Sequence, residues 1–153
     1  MADVVSKAKR SAMMAGIKAQ NTRPEILVRR GIFARGYRYR LHAKHLPGRP
    51  DLVLQKYNTV IFVHGCFWHR HKCHLFKWPS SRPDFWRHKI NGNAKRDRRI
   101  LKELQQSGWK VLVIWECALK GKHKLGPDKV IDAAEHFVHS YTMYTEIEGL
   151  PAG

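Results

Sequence analysis

Runs of apolar residues, separated by polar stretches rich in glycine and proline, divide the chain into an alternating series of elements. "NTRPEILVRRGIFARGYR", Asn21 to Arg38, predicts a helix: Asn21 or Thr22 caps it, Pro24 suits the first turn and Gly36 stops it. Three strand-like runs follow, "YRYRLH", "PDLVL" and "TVIFV", the last two joined by the polar turn "QKYN" as a hairpin. Residues 64–83 carry no regular period and predict an irregular loop. Asp84 is placed to cap a long basic helix, "FWRHKINGNAKRDRRILKELQQ", which ends at Gly108 despite Gly92 in its interior. "WKVLVIWE" is almost continuously apolar, the mark of a strand buried on both faces. In "PDKVIDAAEHFVHSY", residues Val130, Ile131, Ala134, Phe137 and Val138 form one stripe of an amphipathic helix.

Strands interleaved with helices predict an α/β fold with a mixed central sheet flanked by helices. At 153 residues and 43% hydrophobic, the chain suits a single domain with one core. Residues 1–20 read as a basic N-terminal arm, 21–143 as the folded domain and 144–153 as a loosely held C-terminal tail. No segment approaches the roughly 20 apolar residues of a membrane span, and the N-terminus lacks an apolar stretch of signal-peptide length.

Charge narrows the partners. Lys+Arg number 29 against 12 Asp+Glu, a net charge of +17 and a pI near 10.3. A field of that sign attracts polyanions, and nucleic acid is the first candidate. The basic residues are spread along the chain instead of forming one juxtamembrane cluster, which disfavours a membrane surface. Three cysteines, Cys66, Cys73 and Cys117, are too few and odd in number for a disulfide framework; they predict reduced thiols and a cytoplasmic setting.

The chemistry concentrates in "HGCFWHRHKCH", residues 64–74, which holds four histidines and two cysteines. Structural zinc commonly takes three thiolates and one imidazole in a tetrahedron. Cys66 and Cys73, with Cys117 at the end of the buried strand, supply the thiolates and would tie a polar loop to the core. In an extended loop His69, His71 and Cys73 share a face, so spacing leaves His69 and His71 open as the fourth ligand. The opposing reading is three buried cysteines acting as small hydrophobes. The surplus histidines, with Asp51 at the head of "PDLVL", suit phosphodiester hydrolysis. A carboxylate holds Mg²⁺ and an imidazole takes a proton from water near neutral pH. Alternatively, Asp51 is a turn residue after "PGRP" and the histidines face solvent.

"LPGRPDLVL", "VIFVHGCFWHRHKC", the "FW" at 85–86 and "VLVIWECAL" together make the chain resemble the very-short-patch-repair (Vsr) DNA mismatch endonucleases. The match runs over about residues 5 to 120. The resemblance implies a fold related to type II restriction endonucleases and nicking of one strand, 5′ to the thymine of a T·G mismatch left by deaminated 5-methylcytosine. It implies Asp51 as the Mg²⁺-ligand carboxylate, aided by the backbone carbonyl at Val63. His69 becomes the general base, His64 lies at the scissile phosphate, and Glu25 and Asp97 complete the active-site shell. Zinc is assigned to Cys66, His71, Cys73 and Cys117. Two departures stand out. The carboxylate-x-Lys of the wider nuclease superfamily is replaced by Val63-His64, and Val63 stands where many Vsr proteins have threonine.

Phe67, Trp68 and Trp86 fall outside any clear core period. Such rings can wedge between base steps, and a mismatched pair resists less. The family places aromatics at these three positions beside the T·G pair, and Met14, Lys89 and Asn93 match positions that surround it. Lys89 and Asn93 are four apart and share a helix face. "RHK" and "KRDRR" suit phosphate contacts, which position without specifying sequence. The resemblance further implies double-stranded DNA as the partner, stimulation by a MutL-type repair protein and a nucleoid-associated location; one nick needs one active site, so a monomer is expected. The competing reading from another class is a non-catalytic zinc module that binds structured or damaged DNA, which leaves Asp51 and the extra histidines without a task.

Overall fold

Thr22 opens the first helix as expected: its backbone is extended and its Oγ1 accepts from the Glu25 N–H, with proline in the first turn. The computed structural model describes residues 21–151. Among them, helix α1 spans Arg23–Ala34 and strands β1, β2 and β3 span Arg40–Leu41, Leu52–Leu54 and Thr59–His64. Helix α2 is Pro83–Gln106, β4 is Lys110–Trp115, α3 is Pro127–Val138 and β5 is Tyr144–Ile147.

The five strands form one mixed sheet in the order β1-β2-β3-β4-β5. β1, β2 and β3 pair antiparallel, whereas β3–β4 and β4–β5 are parallel. The hairpin expected between the second and third strands is present, turned by Gln55–Tyr57 and by Asn58 in a left-handed conformation. Side-chain alternation sends the sheet's two faces to different layers. Leu52, Leu54, Ile61, Leu112 and Ile114 pack with α1 and α3, through Val28, Ile32, Val130, Ile131 and Phe137. Val53, Val60, Phe62, Val111, Val113 and Trp115 pack beneath α2, against Ile100, Leu101 and Leu104. The strand read as buried on both faces is buried along its whole length. Gly31 lets α1 meet α3: a Cβ there would sit 2.6 Å from Ile131 Cγ1. Lys110 is buried at the start of β4, and its ammonium donates to the carbonyls of Phe137, Val138 and Ser140 at 2.7, 3.0 and 2.6 Å, closing the C-terminal end of α3.

Three expectations are corrected. "YRYRLH" yields only a two-residue strand. Tyr37 is drawn off to hydrogen-bond Glu135 and Tyr39 to the Arg29 carbonyl, so both serve the helices. Helix α2 begins at Pro83, capped by the left-handed backbone of Arg82; Asp84 instead lies in the first turn, where its charge meets the helix dipole. The segment from residue 144 is no loose tail, because Tyr144–Ile147 pairs with β4 and buries Ile147. The N-terminal arm, including Met14, lies outside the described residues.

The topology gathers the chemistry at one edge. β3 and β4 end side by side, His64 opposite Trp115, and the loop and Cys117 follow directly from those ends. Asp51 heads β2, whose antiparallel run places it at the same edge.

Candidate active site and metal cluster

Extending the β1–β2 register by one residue sets His42 opposite Asp51, and the His42 N–H donates to the Asp51 carbonyl at 3.1 Å. The Asp51 carboxylate accepts from the Val63 N–H at 2.7 Å. Glu25 reaches the same place from the first turn of α1 and is only 1% exposed. Its Oε1 accepts from the Asn21 N–H at 3.0 Å, and its Oε2 from Arg29 at 3.1 Å and contacts His42 Nε2 at 2.7 Å. One ligand-capable atom each from Glu25, His42 and Asp51 lies within 4.8 Å of the others. Burial pushes the Asp51 carboxyl up to about 7; the Val63 N–H pulls it down, and neighbouring Glu25 raises it further. A buried carboxylate whose ionisation burial opposes, beside a second buried carboxylate, suits a hard cation.

Beyond Val63 a second group begins. His64 and His69 stack with ring centroids 3.7 Å apart and planes 5° from parallel. His69 Nδ1 lies 2.6 Å from Asp97 Oδ2, so helix α2 supplies the carboxylate that orients the ring. Burial, reinforced by the adjacent His69, holds the His64 imidazole well below the usual histidine range, and its buried Nδ1 has no protein partner. The pair therefore places a neutral, unsatisfied imidazole beside one held by a carboxylate.

His69 and His71, equivalent by spacing, fall into different groups of side chains. His69 joins His64 and Asp97, whereas His71 joins the cysteines. His71 Nδ1 is 3.5 Å from both Cys66 Sγ and Cys117 Sγ, and Cys66, His71, Cys73 and Cys117 bring their ligand atoms within 4.8 Å. The His71 ring stacks on Trp115, and its other nitrogen faces Glu148 at 3.5 Å, an arrangement that fixes the nitrogen turned to the sulfurs. Burial, with adjacent thiols adding to it, pushes the Cys66 and Cys117 thiols up. Two thiols held protonated in this way lose their protons readily only to a cation, so with Cys73 and His71 beside them the donor set fits a metal ion. Glu116 holds the loop by accepting from the Cys66 N–H, and the chain after β5 closes over Cys117. A Cβ at Gly149 would meet the Cys117 carbonyl at 2.6 Å.

Phe67, Trp68 and Trp86 form a half-buried array, with centroids 5.1 to 5.9 Å apart, that belongs to neither core cluster. Asn93 donates to the Trp68 carbonyl at 3.0 Å, tying the array to α2. Lys89 is exposed one turn earlier. Arg82 lies over Phe85 and Arg87 over Trp78, so basic and aromatic groups alternate at the start of this helix.

Residues 2–75 match the family model described as DNA mismatch endonuclease Vsr. The chain is 45% identical over 138 residues to DNA mismatch endonuclease Vsr of Escherichia coli (strain K12), covering 90% of this chain and 88% of that protein. The chain belongs to the Vsr family. Two further relatives are named type II nicking enzymes. One, from Neisseria meningitidis, is 48% identical over 122 residues, covering 80% of this chain and 87% of its own length. The other, from Xanthomonas oryzae pv. oryzae, is 46% identical over 119 residues, covering 78% and 88%. Membership of the Vsr family makes this protein a DNA endonuclease.

The sequence motifs of the Vsr family directed attention to Asp51, Glu25, His64, His69 and Asp97, and the fold divides them between two adjoining groups joined by Val63. His42, Glu116 and Glu148 were missed. Only the first left a trace: a histidine ending the strand before a hairpin partner that begins with Asp51.

Proposed function

We propose that this Vsr-family protein nicks one strand of duplex DNA on the 5′ side of the thymine in a T·G mismatch, on a restriction-endonuclease-like core. The observation that carries the reading is the imidazole of His69 held by Asp97 at 2.6 Å, next to the buried carboxylates of Asp51 and Glu25. Asp51, with the Val63 carbonyl, would hold Mg²⁺, and Cys66, His71, Cys73 and Cys117 would hold a structural zinc. Bound magnesium supplies charge neutralisation at the phosphate.

The side chains account for the remaining steps. Asp97 accepts the Nδ1–H of His69, which leaves Nε2 free to take a proton from water. The water oxygen bonds to phosphorus, the bond to the leaving oxygen breaks, and that oxygen takes a proton from solvent. His64, neutral and with a free buried nitrogen, faces the phosphate. Phe67, Trp68 and Trp86 wedge into the stack, at a cost of a few kcal/mol that a mismatched step reduces. Lys89 and Asn93 address the bases, and Met14 acts from the N-terminal arm. One nick needs one active site, which fits a monomer in the cytoplasm, with a MutL-type protein as the expected repair partner.

His69→Ala tests the assignment. Cleavage of a T·G duplex should fall by about two to four orders of magnitude, the usual contribution of a general base, while duplex affinity changes less than threefold. Comparable losses in both would make His69 structural.

A further inference from the structure

His42 touches both carboxylate residues of the proposed magnesium site by different means. Its backbone N–H donates to the Asp51 carbonyl at 3.1 Å, and its ring Nε2 meets Glu25 Oε2 at 2.7 Å. It does so in a left-handed conformation, φ +47°, that side chains other than glycine adopt rarely and that ends the regular pairing of β1. Strain of that kind persists where surrounding contacts hold it. The ring is largely buried and its Nε2 belongs to the same 4.8 Å group as the Glu25 and Asp51 oxygens. Glu25 has three other polar partners: Asn21 N–H on Oε1, Arg29 on Oε2, and Asp51 alongside. Asn21 and Arg29 both belong to α1 or its approach, so they fix Glu25 relative to its own helix. From the sheet side Glu25 meets Asp51 and His42, and of these two His42 is the one whose ring can donate to it while its backbone is bonded to Asp51.

We infer that His42 is a positioning residue: its Nε2–H donates to Glu25 and holds that carboxylate in register with Asp51, so that the two present one cation site. The inference rests on the reading of Asp51 as the metal ligand. Partners that orient a ligand shell typically govern about 10- to 100-fold in metal affinity. A side chain that can donate at the same distance should serve in its place, whereas an apolar side chain of similar bulk should not.

The test uses the full chain and Mn²⁺ as the probe, with free Mn²⁺ measured by electron paramagnetic resonance, in protein whose cysteine cluster has been loaded with zinc beforehand. His42→Leu should weaken Mn²⁺ binding about tenfold or more, and His42→Gln should recover it to within about threefold of the wild type. Binding of a T·G duplex by the zinc-loaded protein without added Mn²⁺ or Mg²⁺ should stay within twofold for both, which shows that each variant is folded. Asp51→Asn serves as the reference for loss of the site. If both His42 variants bind Mn²⁺ like the wild type while Asp51→Asn does not, the role of His42 is overturned and Asp51 stands. If glutamine is as deficient as leucine, orientation by a donor is overturned. If Asp51→Asn itself binds like the wild type, the metal reading fails and the inference with it.

Discussion

At the scale of single residues, the site depends on groups kept from the states they adopt in water. Asp51 is the clearest. Its carboxyl is raised from 3.8 to about 7, chiefly by burial. The folded chain therefore binds the proton more tightly than the unfolded chain does between those values. The resulting stability is full below about pH 4 and is lost as pH rises through about 7. In metal-free protein, denaturant midpoints should accordingly fall across that window, and Asp51→Asn should flatten the slope. Magnesium should remove the slope in the wild type by holding the carboxylate ionised; a pH-independent midpoint in metal-free wild type would show that Asp51 is not perturbed. Residue types were legible in the sequence, because Asp51 and the histidines stand in motifs whose chemistry is recognisable. Their pairing was not. Spacing left His69 and His71 equivalent, since both fall on the same face of an extended loop, and a kinked loop with Arg70 in a left-handed conformation is what separates them.

At the scale of elements, the loop from Gly65 to Arg82 is the least self-sufficient part of the protein. It has no helix or strand of its own and holds only Cys66 and His71 fully buried. What pins it is the four-residue cluster, together with the bond from Cys66 to Glu116. If this cluster holds the proposed zinc, a strong chelator should make Cys66, Cys73 and Cys117 reactive to a thiol reagent and raise protease sensitivity within this loop. Far-ultraviolet circular dichroism of the sheet should change little. Thiols that stay protected after chelation would show that packing, not metal, holds the cluster. Helix α1, the hairpin and the buried strand were legible from caps, turn residues and period. β5 was not: only Ile147 of its four residues is buried, and a parallel partner reached by way of α3 leaves no turn signal. The run 37–42 was overread as a strand, since Tyr37 and Tyr39 mimic strand composition while serving α1 and α3.

At the scale of the whole molecule, three layers bring a carboxylate pair, an imidazole–carboxylate pair, a cysteine–histidine cluster and an aromatic array to one end of the sheet. The charge of +17 is spread along the chain, and helix α2 joins two of these parts by offering Asp97 to His69 and Asn93 to the loop. Charge of this sign gives affinity without selectivity; the array is what would distinguish a weakened step from a sound one. The decisive measurement is strand cleavage on a labelled duplex bearing one T·G pair, beside a matched control, with Mg²⁺ or EDTA, for the wild type and Asp51→Ala. A single nick 5′ to the mismatched thymine is expected, only with Mg²⁺ and only in the mismatched duplex, and Asp51→Ala should bind that duplex without cutting it. Tight binding with no nick under any divalent metal, or cutting by Asp51→Ala at the wild-type rate, would contradict the account.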